Sequence, residues 1–292
     1  MKKTRPLLYR LAAIVWLCLA APAAIADSPK RIVSVGGALT EIIYALNGED
    51  NLAGVDTTSL WPEAAKALPQ VGYMRSLSAE GILSLAPDLI LVSAHAGPPA
   101  VLEQIRAAGV PVHTLVEDYS EQSVLNKVST IAALLGKPDA GDTLAVQIHA
   151  DFSRLAQLRS QFSRHPSVMF FMAVSHGAPL VSGRETAADA MIQLAGGVNA
   201  IGDYAGNKPI GSEAIIAAAP ELILLTELTV NAVGGLDKFY QLPGIAHTPA
   251  GLNRRVIVMD TLALLSFGPR SGQVALELAE RLQNPANIAT TP

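Results

Sequence analysis

One segment of this chain is written twice, and the duplication limits the possible folds more than any other feature. Glu80–Leu91 returns as Glu213–Leu224, with seven of the twelve aligned positions identical. The other five exchange small for small, aliphatic for aliphatic or acid for acid. Each copy reads as a short helix, a proline turn and a buried apolar strand of four or five residues. A looser echo precedes each copy, Thr40–Gly48 against Ala188–Gly196. An α/β unit repeated in this way predicts two similar lobes.

The first 26 residues read as an export leader and not as part of the fold. Lys2, Lys3, Arg5 and Arg10 form a positive head, and Leu11–Ala21 is an apolar run too short to span a bilayer comfortably. Ala24-Ile25-Ala26 supplies the small residues of a cleavage site. The only cysteine, Cys18, lies inside the apolar run, and Leu17 before it is the wrong size for lipoprotein processing. The mature chain is therefore expected to begin near Asp27, in the periplasm, without a thiol or a stable membrane anchor. Four of the 21 basic residues and none of the 25 acidic ones fall in the leader, which leaves 17 against 25, a net charge of −8. Such a surface argues against nucleic acid and anionic lipid.

Catalysis finds no foothold. Gly-x-Ser-x-Gly is absent, and Gly36-Gly37 and Gly234-Gly235 lack the rest of any phosphate-binding fingerprint. The six histidines are scattered, with no pair at the spacing of a zinc site. No catalytic cofactor and no enzymatic activity are expected.

Read along the chain, strand signals occur at Arg31–Val35, Asn51–Val55, 88–92 and Val110–Leu115, with helices at 40–46, 79–85 and 100–108. From about 120 to 165 the periodicity is helical, broken once at Gly136-Lys-Pro-Asp139. The second piece carries a stripe of Leu144, Ile148, Phe152, Leu155 and Leu158. Strand–turn–helix grammar restarts at Val168–Met172 and ends in a helix over 270–283. The expected fold is α/β, two Rossmann-like lobes with mainly parallel sheets, joined by a single long backbone helix acting as a stiff spacer. The divisions are 1–26 leader, 27–138 first lobe, 139–165 backbone helix and 166–292 second lobe.

This organisation resembles the periplasmic substrate-binding proteins of metal-chelate ABC importers, the helix-backbone class that carries haem, ferric siderophores, cobalamin, zinc or manganese. The resemblance covers essentially the whole mature chain. It implies that Glu80 and Glu213, at matched points of the repeat, each meet an arginine pocket on a dimeric inner-membrane ABC permease with its ATPase. A carboxylate in a first helical turn also favours the helix dipole, and the two roles are compatible. The zinc branch is set aside because the chain lacks that branch's cluster of His and acidic ligands.

Ligands of open α/β sheets bind beyond the carboxyl ends of the strands, here the loops 36–40, 57–76, 93–99, 173–186, 203–210 and 228–240. Within them, Gly72-Tyr-Met-Arg-Ser-Leu-Ser78 resembles the segment that supplies the axial tyrosine in haem-binding members. A phenolate is a hard anionic ligand suited to ferric haem. A free phenol titrates near 10, so iron must supply most of the help in forming the anion. Arg75 adds positive charge that favours the anion and can meet a propionate. The resemblance further implies His176 as a second haem ligand if two haems stack. Arg184 is either a helix-entry or a propionate residue. His95 and His247 have no supporting partner in sequence, and Trp61, Met74 and Tyr204 can serve either as porphyrin-facing or as rim and core residues. Arg254-Arg255 and Phe267-Gly-Pro-Arg270 resemble the end of haem-binding members, the latter read as a strand-to-helix turn. The implied function is a periplasmic, monomeric carrier of ferric haem b, its transported ligand. A ferric-siderophore or cobalamin carrier of the same class is the alternative.

Overall fold

The computed structural model describes residues 28–174 and 178–284, so the expected leader and His176 lie outside the described residues. The first sheet holds β1 Ile32–Val35, β2 Leu52–Val55, β3 Leu89–Ser93 and β4 Val112–Leu115, all parallel, in the order β2-β1-β3-β4. The second holds β5 Ser167–Ala173, β6 Leu180–Ser182, β7 Val198–Asn199, β8 Asn207–Pro209, β9 Leu222–Thr226 and β10 Val256–Met259. Its order is β10-β9-β5-β6-β8. Strands β10, β9 and β5 are parallel, and β7 pairs with the first residues of β5. The antiparallel ribbon β6–β8 occupies the later part of the same β5 edge. Set β6 and β8 aside and β7-β5-β9-β10 repeats β2-β1-β3-β4. The central strands β1 and β9 are buried throughout, and each is apolar except for one hydroxyl residue, Ser34 and Thr226.

The duplication holds at the level of single atoms. Ala86 and Ala219, the alanines before the two prolines, both adopt left-handed φ, 46° and 42°. The acid after each proline then closes onto the first strand of its lobe. Asp88 donates its N–H to Arg31 O (3.0 Å) and accepts from the N–H groups of Lys30 (2.8 Å) and Arg31 (3.1 Å). Glu221 donates its N–H to Ser167 O (3.0 Å) and accepts from Ser167 N–H (3.3 Å). An acid is kept at this point because its side chain satisfies backbone donors at the start of a strand.

The helix predicted after Gly136 runs Pro138–Arg159, with proline in its first turn, and its expected stripe buries Ile148, Phe152 and Leu155. It is not a bare spacer. Helices Glu121–Leu134 and Ser271–Gln283 pack along it, and one apolar cluster runs from Ile32 and Leu39 through Phe152 to Val168 and Phe267. The two lobes therefore share a core.

Other boundaries shift for local reasons. Strand β4 begins at Val112 and not Val110, since Pro111 has no N–H to give the ladder, although its carbonyl accepts from Ile90 (2.9 Å). The expected loop 228–240 contains helices Glu227–Val233 and Leu236–Tyr240, separated by Gly234 and Gly235 at positive φ and packed around buried Phe239. Phe267-Gly-Pro does not follow a strand directly. Helix Thr261–Leu265 intervenes, and Phe267 is fully buried at φ 50°.

That segment pins the lobes together. Lys127, on the first-lobe side, donates to Phe267 O (2.8 Å) and pairs with Glu117, both side chains being under a tenth exposed. Burial pushes the Lys127 ammonium below the usual lysine value, against the opposing pull of Glu117. Lys127→Met leaves Glu117 charged and unpaired inside the protein. It is expected to destabilise the fold by about 3–5 kcal/mol, read as a lower urea midpoint. A loss under ~1 kcal/mol would show that Glu117 reaches water instead.

Candidate functional site

The carboxyl ends of the first-lobe strands are organised around one buried carboxylate. Asp56 follows β2 and is fully buried. One of its oxygens accepts from Gly36 N–H (2.9 Å) and the Ser59 hydroxyl (3.1 Å), the other from the N–H (3.0 Å) and hydroxyl (2.7 Å) of Thr58. The Thr58 hydroxyl oxygen in turn accepts from Gly37 N–H (3.1 Å). The loops after β1 and β2 are thus locked to each other. Residues 69–72 then run beside β2, with Val55 N–H donating to Pro69 O, Val71 N–H to Val55 O and Thr57 N–H to Gly72 O, each at 2.9 Å.

Gly72, at φ 91°, starts the turn that carries Tyr73. Ser76 N–H closes the turn on Tyr73 O (2.8 Å), and Gly97 clasps it from the side through Met74 O (2.9 Å) and Leu77 N–H (3.0 Å). Met74 is half-buried against the first-lobe core, while Tyr73 and Arg75 on either side are exposed. Tyr73 is 46% exposed, so its ring is accessible to a ligand. Among the described residues Arg75 has no ion pair. Its charge does reach Tyr119, where it pulls down a phenol that burial and Glu117 push up, with the net direction upward.

His95 does have a partner, which the sequence did not reveal. Its Nε2 lies 3.2 Å from the Tyr119 hydroxyl, the rings stack with centroids 6.1 Å apart, and Tyr119 packs on Phe267 at 5.1 Å. Trp61 is 49% exposed, and the Arg270 guanidinium lies 4.6 Å from its ring centroid. Residues from the loops after β2, β3 and β4 and from the second-lobe segment 267–270 therefore meet along one junction between the lobes.

On the second lobe the loop after β5 contains His176, outside the described residues. Arg184 is exposed, and its backbone bridges to the 204–206 segment, with its N–H on Tyr204 O (2.8 Å) and its carbonyl accepting from Gly206 (2.9 Å). It does not cap the following helix, since Thr186 does so through Asp189 N–H (3.1 Å). Tyr204 is committed to the β6–β8 ribbon, its hydroxyl on Val181 O (3.0 Å) and Lys208 over its ring (4.9 Å). His247 sits in the 3-10 turn Ile245–His247, before β10 and so at the opposite end of the strands. Glu80 and Glu213 each take the second position of a repeat helix, both exposed and without an ion pair among the described residues. Two surface depressions of about 580 and 550 Å³ lie on the second lobe, around Tyr240 and Arg254 and around Asp260 and Arg270. Neither includes Tyr73.

Comparison with known proteins gives this geometry its relatives. The apo form of the periplasmic haem-binding protein RhuT from Roseiflexus sp. RS-1 is 42% identical, with a TM-score of 0.82 over 87% of this chain and 97% of that one. The periplasmic haem-binding protein BhuT in complex with two haems is 42% identical, with a TM-score of 0.83 over the same shares. The vitamin B12-binding protein of Yersinia pestis is more distant, 26% identical over 230 residues, 78% of this chain and 80% of that one. The profile of the periplasmic binding protein family matches residues 32–262, and with two α/β lobes and this degree of likeness the chain belongs to that family.

Proposed function

We propose that this chain captures ferric haem b between its lobes in the periplasm and delivers it to an inner-membrane ABC importer, without breaking a bond in it. Tyr73 carries the reading: a half-exposed phenol on a turn pinned at Thr57 and Gly97, with Arg75, which has no ion pair among the described residues, two residues away. Haem-binding relatives at 42% identity support the same ligand. Tyr73 is the iron ligand in this reading, and Arg75 and Arg184 meet the propionates. Export uses residues 1–26 as a cleaved leader, lobes 27–138 and 166–292 flank the backbone helix 139–165, and the carrier works as a monomer. Glu80 and Glu213 dock on the two subunits of the permease.

The test is a spectral titration of the purified apoprotein with hemin, with cyanocobalamin and a ferric siderophore in parallel. The expected result is a saturable Soret change with hemin alone. Saturation by cobalamin or the siderophore without a hemin response would transfer the site to the alternative cargo.

BhuT holds two haems, and a matching pair here needs a second protein ligand across the cleft, the role we assign to His176. His176→Ala is then expected to reduce saturation from two hemins per chain to one and to leave the Tyr73-dependent spectrum in place. A wild-type endpoint of one hemin removes that role.

A further inference from the structure

We propose that Arg270 is a positioning residue which, from the second lobe, holds the Trp61 indole as one wall of the cargo cleft. The inference rests on the haem-carrier reading and adds to it a residue pair that neither the repeat nor the Tyr73 segment contains. Trp61 belongs to the loop after β2, three residues beyond Thr58, whose hydroxyl lies 4.0 Å from the Met74 sulfur. The loops bearing Trp61 and Tyr73 are therefore laid side by side. Trp61 is nearly half exposed, yet a cation from the other lobe lies against its ring. Arg270 covers it at 4.6 Å, and that guanidinium is itself fixed by two hydrogen bonds to Glu41, Nε to one carboxylate oxygen at 2.8 Å and the second nitrogen to the other at 3.1 Å. The Glu41 side chain is 5% exposed, and Gly268 packs beside its carboxylate at ordinary van der Waals distance.

Only a planar, two-pronged cation can do both jobs, matching a carboxylate with its edge and an aromatic ring with its face. An aromatic side chain already held in place loses little rotamer freedom when a flat conjugated ring stacks on it. The same second-lobe segment packs Phe267 on Tyr119, 5.1 Å between ring centroids. Residues 267–270 thus set two aromatic groups of the first lobe at once, and the cargo's first-lobe walls depend on the second lobe being in register.

The experiment uses the mature chain from Asp27, in which Trp61 is the only tryptophan. Arg270→Lys keeps the charge facing Glu41 and removes the planar stack. It is expected to increase acrylamide quenching of Trp61 in the apoprotein and to weaken hemin binding roughly threefold to tenfold, the range for loss of an aromatic stacking contact. Trp61→Ala should weaken hemin by a similar factor, and adding Arg270→Lys to it should change little further. Unchanged quenching and affinity in Arg270→Lys would overturn the proposal. So would an equal loss from Arg270→Lys in the Trp61→Ala background, which would mean that Arg270 acts on the cargo without Trp61. If the parent chain fails to bind hemin, the haem reading falls, and the quenching measurement still decides whether Arg270 fixes the indole.

Discussion

Tyr73→Ala is expected to lower hemin affinity by on the order of a hundredfold or more, since even groups supporting a metal ligand are worth 10- to 100-fold, and to leave the unfolding midpoint unchanged. The second half follows from exposure: a ring 46% exposed on a loop contributes little to either core, and surface substitutions typically stay within about 0.5 kcal/mol. Tyr73→Phe is the sharper variant. It keeps the ring and any stacking it provides and removes only the oxygen. If iron is bound through that oxygen, the Phe variant behaves like Ala, with loss of the charge-transfer bands of tyrosinate-bound ferric haem. A Phe variant with wild-type affinity would falsify ligation and reduce Tyr73 to a packing surface. Arg75→Ala should cost less than either, because it supplies charge and not a bond to iron.

How much of this was readable from sequence follows a physical rule: local signals were legible and distant pairings were not. The repeat announced two equivalent helix–proline–strand units because each is built from contacts within about a dozen residues. The left-handed Ala86 and Ala219 confirm the equivalence at the backbone. The long helix was visible because its buried stripe lies on one face, every third or fourth residue. Tyr73 was legible because a turn glycine, a phenol and an arginine occur within four residues. By contrast, Glu41 and Arg270 are 229 positions apart, and nothing near either announces the other. His95 looked unsupported because its partner, Tyr119, comes from the loop after the next strand, 24 residues away. The short helices after β9 were missed because a seven-residue and a five-residue segment carry too few turns for a period to emerge from a glycine-rich stretch. The long backbone helix is present as expected, but the stripe on Pro138–Arg159 shows only that one face is covered, not that helices from both flanks cover it.

Changing both Glu80 and Glu213 to arginine is expected to abolish haem delivery in membranes reconstituted with the importer, while hemin binding by the free protein stays at its wild-type level. The two carboxylates occupy the same point of the two repeat copies, each at the second position of an exposed helix, and neither is engaged within the chain among the described residues. A duplicated unit with duplicated sheet topology presents two equivalent acids, which suits a permease built from two subunits. Exposed ion pairs contribute only ~0.2–1 kcal/mol each. Once the first is made, however, the second forms within the complex, and linked contacts exceed their separate strengths. A single reversal should therefore reduce transport partially, and the double reversal should do more than the two partial losses combined. Reversal, unlike neutralisation, would also set like charges against the basic pocket that the proposed docking assigns to the permease, which costs more than a missing contact. Normal transport by the double variant would return Glu80 and Glu213 to a local role, favouring the positive ends of their helices. A parallel loss of hemin binding would place them at the cargo and not at the permease, and the titration separates that outcome from a docking defect.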